Sequence, residues 1–436
     1  MTHETIQQLI DQIPDAESFL TVAELDQNSQ QLALDYPDLV DLQELAKSPE
    51  GRPIYSLTIG SGEKSVLLFG SPHPNEPDGS MMLDFLARAL AENEPLRQNL
   101  RWHIIKTLDV DGATRNEPWF NSPHTLRNYA HDYYRSTGYE NTEWTYPIDY
   151  KSHRFQQLMS RFDFLQDLMD TKKPTLIFSF HSTDFGPSCW YPKASARPIW
   201  DQLAALNLKY DLPFFQLDND EYNVPPFAPG HFLDFQDRTS DETNETTEDE
   251  TDVRQLLVTE VPRFLDPRAD DETYLDYLRG DAAKDSAEQG FMFGQLLESL
   301  YRPISPYAAS DNPYAKLVVQ RYEHFRDNYE RRLRHIDINP IYRDRCKVSQ
   351  AFFNYEMPKL HRLLYWALLR RSCEFELAKG EVPGSRILEK VRSEAERLFD
   401  ETAHEVEQSF HYSAVPIRKL MSVQLETVLL ALMSDG

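Results

Sequence analysis

The chain is poor in cysteine, in basic residues and in long apolar runs, and each shortage argues against a class of protein. Three cysteines in 436 residues are too few for a disulfide framework and favour a reducing compartment. The 45 basic residues against 71 acidic ones give a formal net charge of −26, whereas nucleic acids and anionic membranes bind basic surfaces. There is no apolar run of membrane-spanning length, and no basic-then-apolar N-terminus that would indicate a signal peptide. We therefore expect a cytoplasmic protein that binds neither nucleic acid nor membrane.

The order of the predicted elements divides the chain into three parts. Residues 1–48 have apolar positions at helical spacing, which predicts a helical lead-in. Strands and helices alternate over residues 49–302, which predicts an α/β domain with a mostly parallel sheet; within it, the acidic residues 234–252 indicate an exposed loop. Residues 303–436 follow a proline-marked linker, and their periodicity predicts an all-α C-terminal domain. Its arginine pairs, at 331–332 and 370–371, are interpreted as solvated helix faces.

A histidine and a glutamate three residues apart follow the first buried strand of the α/β part. Residues 65–69 are the apolar strand, and His73 and Glu76 lie on the segment after it. Prolines at 72, 74 and 77 prevent a helix through the pair, so this is not the two-histidine zinc signature that lies on a helix. Both side chains can therefore reach one metal ion from a loop.

A second histidine, His181, ends another apolar run at residues 175–180. Open α/β sheets place their sites at the carboxyl ends of the strands, where this residue and the pair His73 and Glu76 would meet. Two imidazoles and one carboxylate give the three protein ligands of a catalytic zinc, with one position left open. We predict a single zinc ion there. Carboxylates that orient the histidines are also expected. The candidates are Asp109, Asp111 and Asp149.

A later glutamate, Glu260, ends the apolar strand at residues 255–260. A carboxylate at such a position is costly to bury unless it has a function. Beside zinc, Glu260 could take a proton from the attacking water and give it to the leaving amine. We predict that it is the general base; the alternative is an ordinary strand-end glutamate that faces water.

The four residues together resemble the pattern of the zinc metallocarboxypeptidases. Members of that family use a His-x-x-Glu pair, a distant His followed by Ser or Gly, and a later Glu as general base. The matching positions, in the same order, are His73, Glu76, His181 and Glu260. The resemblance covers roughly residues 50–300, and residues 108–112 look like the family's Asn-Pro-Asp-Gly turn. It implies a mixed eight-stranded α/β sheet flanked by helices, with the catalytic domain at residues 49–302.

The resemblance also suggests which residues bind substrate. The family's Asn-Arg pair grips the terminal carboxylate of the substrate, and here Arg127-Asn128 has the reversed order. Arg115 and Arg127 are the predicted carboxylate or oxyanion ligands, because an arginine fork suits both groups. An ordinary surface position is the alternative for each arginine. Tyr222 is the candidate for the family's substrate-capping tyrosine.

The predicted function is a zinc-dependent hydrolase that cleaves a peptide or other amide bond, in the first place as a metallocarboxypeptidase. One alternative is an amidohydrolase of acylated amino acids, similar to the succinylglutamate desuccinylases and aspartoacylases. A second alternative is a non-catalytic binding module whose helical tail docks a partner. The expected ligand is a peptide or an acylated amino acid, and the oligomeric state stays open.

Overall fold

The chain folds into two compact units. The computed structural model describes residues 2–136, 148–150, 153–155, 163–186, 188–192, 199–213, 226–228, 231–232, 255–380 and 382–434. The first unit contains Met1–Asn121, Gly138–Phe264 and Val415–Gly436, and the second contains Ser122–Thr137 and Leu265–Ala414. The last helix of the chain therefore lies in the first unit. None of the described helices combines the length and the apolarity needed to cross a membrane.

The elements follow the chain in this order. The strands are β1 (Val40–Lys47), β2 (Pro53–Ile59), β3 (Lys64–Phe69), β4 (Leu100–Ile105), β5 (Ile148–Tyr150), β6 (His153–Phe155), β7 (Leu176–Thr183), β8 (Cys189–Pro192), β9 (Pro226–Ala228), β10 (His231–Phe232), β11 (Gln255–Pro262), β12 (Phe264–Leu265), β13 (Tyr274–Leu278), β14 (Arg345–Lys347) and β15 (Ser413–Ala414). The helices are α1 (His3–Asp11), α2 (Val22–Asp35), α3 (Asp78–Glu92), α4 (Glu94–Arg97), α5 (Val110–Phe120), α6 (Leu126–Asp132), α7 (Asp163–Lys172), α8 (Trp200–Lys209), α9 (Arg279–Tyr301), α10 (Pro313–Ile338), α11 (Val348–Ala351), α12 (Met357–Leu377), α13 (Ser385–Ser409) and α14 (Ile417–Ser434). Residues Phe352–Glu356 form a π-helical turn between α11 and α12.

The first unit is built on one mixed sheet. Among the described residues it has nine strands, in the order β1-β2-β4-β3-β7-β11-β8-β10-β9. The four central strands, β4, β3, β7 and β11, are parallel to their neighbours within this group. Antiparallel pairs occur toward both edges, as between β1 and β2 and between β11 and β8. The predicted fold class is confirmed, with nine described strands where eight were expected.

Helices cover both faces of this sheet. On one face, Leu67 and Ile177 of the central strands share an apolar cluster with Leu165 and Leu168 of α7 and Val110 of α5. On the other face, α3 packs against β3 and β7, and α14 packs against β11 and α3. Because both faces are covered, the central strands are continuous apolar runs, which is why they could be recognised in the sequence.

The N-terminal part is only partly helical. Thr21 begins α2 with a capping box, in which its hydroxyl and the Glu24 carboxylate satisfy each other's backbone amides. Residues 40–47, expected to be helical, instead form β1, which pairs with β2 so that Val40 lies opposite Ile59. The expectation of a helix there was wrong. A register shift between Glu44 and Ala46 breaks the strict alternation that would have marked a strand.

A buried histidine of β4 makes the stability of this unit depend on pH. His103 is 0% exposed, its Nδ1 lies 3.0 Å from Thr58 Oγ1, and burial, with Lys172 and Arg101 nearby, lowers its pKa from 6.5 to about 4. Between these two values the unfolded chain binds a proton that the native chain does not. Stability from this group is therefore complete above pH 6.5 and is lost as the pH falls toward 4, by roughly 3 kcal/mol in total.

We expect His103→Asn, which cannot titrate, to flatten the loss of unfolding free energy between pH 6.5 and 4. The measurement is urea unfolding of both proteins at several pH values. His404→Asn is the matched control, because His404 is exposed on α13. Equal slopes for the wild type and His103→Asn would show that His103 does not contribute.

The second unit is mainly helical. Helix α9 packs against α10, and α12 packs against α13 and α6. Asn312 begins α10 by accepting hydrogen bonds from the Tyr314 and Ala315 amides, and Pro313 occupies the first turn. Strands β13 and β14 add a short antiparallel pair. Helices therefore dominate this unit, as predicted for most of residues 303–436.

One arginine pair of this unit does not lie on a solvated face. Arg370 is only 7% exposed and donates to His131 O at 3.0 Å. Arg371 donates to Asp132 O at 2.7 Å and to Tyr133 O at 2.9 Å. The interpretation of this pair as solvated was wrong, because the two guanidinium groups satisfy carbonyls at the C-terminal end of α6. The pair at residues 331–332 is exposed, as expected.

Candidate metal centre

Three buried side chains converge at the carboxyl ends of the central strands. His73, Glu76 and His181 each offer a ligand atom, and these atoms all lie within 4.8 Å of one another. The three residues are 4%, 2% and 1% exposed. The two imidazole rings are 4.9 Å apart between centroids, and His181 Nδ1 lies 3.1 Å from Glu76 Oε2. The structure thus brings together the three residues that the sequence proposed as a ligand set.

Neighbouring parallel strands supply this site. The loop with His73 and Glu76 follows β3, His181 lies near the end of β7, and β3 and β7 are paired in parallel. The loop folds back on itself through Ser71, whose Oγ donates to Glu76 O at 2.9 Å and lies 2.7 Å from Ser80 Oγ. Ser71 takes a positive φ of 44°. This residue makes a sharp turn directly after β3, before α3 begins at Asp78.

Two glycines allow close packing at the loop and at the helix that follows it. A Cβ on Gly112 of α5 would lie 2.6 Å from Pro74, and a Cβ on Gly79 of α3 would lie 2.5 Å from Phe180 of β7. Asp109 caps α5 by accepting from Gly112 N at 2.9 Å. The Asp-x-Asp-Gly segment at residues 109–112 therefore starts a helix whose first turn supports the loop that carries His73 and Glu76.

The hydrogen bonds of His181 fit a metal ligand. Its Nδ1 faces Glu76, and its Nε2 lies 2.7 Å from Ser179 Oγ. With the proton on Nε2 donated to Ser179, the lone pair of Nδ1 is directed at the cluster, which is how a partner behind a ligand sets the tautomer. Of the three carboxylates expected in that role, Asp111 instead accepts from Ser48 and Arg52, both at 2.7 Å. Asp109 caps α5, and the side chain of Asp149 lies outside the described residues.

A buried carboxylate behind the cluster connects the two segments that form it. Asp78 is 0% exposed and accepts from Ser182 Oγ at 2.8 Å and from Gln424 Nε2 at 2.6 Å. Burial raises the pKa of Asp78 to about 6, against the opposing effects of the Arg263 charge and the Ser182 hydrogen bond. Asp78 thus links the segment of Glu76 to the strand that ends beside His181.

A buried arginine supports the loop from another side. Arg263 is 4% exposed and donates to the backbone oxygen of Asn75, next to Glu76. It also donates to Asp184 Oδ1 at 2.6 Å, and its guanidinium carbon lies 5.8 Å from the centre of the Trp119 ring. The buried positive charge of Arg263 and the Asn75 carbonyl that it contacts therefore lie beside the cluster.

Glu260 lies one strand away from His181. It is half-buried on β11, directly opposite His181 of β7 in a parallel register and opposite Cys189 of β8. Paired residues of parallel strands point to the same face of a sheet. The carboxylate of Glu260 is therefore placed on the same face as the His181 imidazole, at the same level along the strands.

The arginines proposed for substrate binding are each engaged with an acid. Arg115 of α5 pairs with Glu50. Arg127 of α6, in the second unit, pairs with Asp400, and its guanidinium carbon lies 5.5 Å from the centre of the Phe399 ring.

The other two residues predicted to bind substrate are Asn128 and Tyr222. Asn128 donates from its Nδ2 to Pro123 O at 2.9 Å. Tyr222 and the acidic segment 234–252 lie outside the described residues. Substrate roles for Arg115, Arg127, Asn128 and Tyr222 stay predictions.

Comparison with known proteins identifies the segment around the cluster. A family model described as zinc carboxypeptidase matches residues 25–186, which include His73, Glu76 and His181. These residues are therefore similar to the zinc carboxypeptidases. The predicted resemblance is confirmed, and the buried His-Glu-His cluster fits a zinc site of that family.

Individual relatives are distant. An uncharacterized protein of Zymomonas mobilis is 33% identical over 81 residues, which cover 17% of this chain and 21% of that protein. The chain therefore matches about a fifth of the length of this curated relative.

The solved structures that are similar to this chain include two described as carboxypeptidases and one described as an aspartoacylase family protein. Carboxypeptidase A from Helicoverpa armigera is 14% identical, with a TM-score of 0.38 over 60% of this chain and 71% of that one. A metallo-carboxypeptidase from Burkholderia cenocepacia is 17% identical, with a TM-score of 0.34 over 56% of this chain and 60% of that one. An aspartoacylase family protein from Mesorhizobium loti is 16% identical, with a TM-score of 0.26 over 51% of this chain and 61% of that one. Because these scores are low, the resemblance to the zinc carboxypeptidases rests on the match of residues 25–186.

Residues outside the matched segment, residues 25–186, also belong to the surroundings of the cluster. Arg263 and Gln424 were not found by the sequence reasoning. Arg263 lies three residues after Glu260, and this short spacing in the sequence could have indicated that it lies near the site. Gln424 gave no signal, because its contact with Asp78 joins positions 346 residues apart. Asp78 was not among the carboxylates expected to orient the histidines, although it lies only two residues after Glu76.

Proposed function

We propose that this protein is a zinc-dependent hydrolase that cleaves a peptide or other amide bond. His73, Glu76 and His181 would hold one zinc ion, and Glu260 would act as the general base. The observation that supports the proposal most strongly is the convergence of three buried ligand atoms within 4.8 Å, contributed by two segments that are far apart in the chain.

The donor set suits zinc chemically. Imidazole nitrogen and carboxylate oxygen are both common zinc ligands, and three protein ligands leave one position open for catalysis. A carboxylate as buried as Glu76, which is 2% exposed, is costly to keep ionised without a cation. Bound zinc would polarise a water molecule and the scissile carbonyl. One ion per chain accounts for the three ligands.

The protein's own residues would perform the proton transfers. Glu260 stands one strand from His181 on the same sheet face, so its carboxylate can accept a proton from the attacking water. The same group can then deliver that proton to the departing nitrogen. Half-burial of Glu260 leaves it open to a substrate, whereas Glu76 is fully enclosed.

Carboxypeptidase action on the C-terminal residue of a peptide is the first candidate for the substrate. It follows from the family of residues 25–186. Hydrolysis of acylated amino acids is the second candidate. The observation in its favour is that Arg115 and Arg127, the two proposed grips for a peptide carboxylate, are both paired with acids of the chain itself.

A substrate panel separates the two candidates. We expect the zinc-loaded protein to release the C-terminal amino acid from a set of unblocked peptides, and to leave the same peptides intact when their C-termini are amidated. Amino acid release would be followed by mass spectrometry, beside a set of N-acetyl, N-succinyl and N-acyl amino acids.

Glu260→Gln is the control for contaminating hydrolases in this panel. Turnover of the acyl amino acids alone would favour the second candidate. If the zinc-loaded protein cleaved neither class, the proposed function would be contradicted.

A further inference from the structure

We infer that Gln424, on the last helix of the chain, is a positioning residue of the metal centre. It would hold the segment of Glu76 and the strand of His181 at the separation that one ion needs. This inference rests on the proposed function, because it assumes that these residues bind the metal. It adds that the metal site is completed by a residue far outside the matched segment, residues 25–186.

The contacts of Gln424 reach both metal-bearing segments. Its Nε2 donates to Asp78 Oδ2 at 2.6 Å and to His181 O at 3.3 Å. Both partners accept hydrogen bonds, so only the nitrogen of the amide can face them. Gln424 is 0% exposed, and no solvent competes for these contacts.

Asp78 connects Gln424 to the two segments that carry the ligands. One of its oxygens accepts from Gln424, and the other accepts from Ser182 Oγ at 2.8 Å. Asp78 lies two residues after Glu76, and Ser182 directly follows His181. The carboxylate of Asp78 therefore connects both ligand segments to α14. Among the described residues, Gln424 donates one of the two hydrogen bonds that this carboxylate accepts from side chains.

Helix α14 is anchored independently of Gln424. Trp190 Nε1 donates to Thr427 Oγ1 at 3.1 Å, and Lys209 Nζ donates to Glu426 Oε2 at 2.6 Å. The helix also buries a row of apolar side chains against the first unit. Removing the amide of Gln424 should therefore leave the helix in place and change the polar contacts alone.

The test is the zinc affinity of apo-protein, measured by competition with a chromophoric chelator, so no activity is needed. Gln424→Met keeps the shape of the side chain and removes the donor, and Gln424→Glu replaces the donor with a carboxylate facing Asp78. We expect both to bind zinc about 10- to 100-fold more weakly than the wild type. Thr427→Val is the matched control, since it removes a buried hydrogen bond from the same helix, and it should keep the wild-type affinity.

A double variant shows whether Gln424 acts through Asp78. Asp78→Asn should weaken zinc binding by itself, and adding Gln424→Met to it should change the affinity by no more than about threefold. Losses that multiply, or a wild-type affinity in Gln424→Met, would overturn the inference. A failure of the proposed function would give a different result. The wild type itself would then not bind zinc, and the zinc affinity of His73→Ala would not differ from that of the wild type.

Discussion

Glu260→Gln is expected to keep its zinc and to lose about 10²- to 10⁴-fold in kcat, the usual contribution of a general acid-base group. The amide has nearly the shape of the carboxylate and cannot take a proton from water. Because Glu260 stands beside the ligand strand and is not in the three-residue cluster, the metal should remain bound. The measurement is kcat on the best substrate of the panel, together with zinc content by elemental analysis.

A matched substitution controls for the loss of one negative charge. Glu63→Gln makes the same chemical change at an exposed position just before β3, and kcat should equal that of the wild type. Wild-type kcat in Glu260→Gln would contradict the assignment of the base. Loss of zinc together with activity would show that Glu260 supports the metal instead of transferring protons.

His73→Ala and Glu76→Ala are each expected to abolish zinc retention. The three ligand atoms lie within 4.8 Å of one another, and removing one leaves two protein ligands for an ion that needs at least three. Zinc content should fall from about one ion per chain to near zero. Zinc should raise the unfolding temperature of the wild type, because it binds only the native state, and should leave that of both variants unchanged.

A histidine elsewhere in the same sheet provides the control. His103→Asn replaces a buried imidazole of β4 that is outside the cluster, so it should retain zinc like the wild type. Retention of a full zinc ion by either His73→Ala or Glu76→Ala would remove that residue from the ligand set.

The sequence predicted best what depends on a single strand and the residues that follow it. The apolar runs of β3, β7 and β11 are continuous because both faces of the sheet are covered, and each prediction came within three residues of the observed bounds. The three candidate ligands followed from their places at these strand ends, since parallel strands present their carboxyl ends at one edge.

The sequence predicted poorly what depends on distant packing. Gln424 reaches Asp78 from a helix that the sequence grouped with the C-terminal part, whereas α14 packs on the sheet of the first unit. Arg370 looked like a surface residue because nothing local shows that α6 ends against it. Strand β1 was missed because a register shift interrupts its alternation. In each case a partner far along the chain decides the environment of the residue.

The most direct test of the central claim is X-ray absorption of the zinc-loaded protein, combined with anomalous diffraction from its crystals. One zinc site should be found, coordinated by the imidazole nitrogens of His73 and His181 at about 2.0–2.1 Å and by a Glu76 oxygen at about 2.0–2.2 Å. A zinc ion bound elsewhere, or a cluster in which the two imidazoles do not share an ion, would contradict the account.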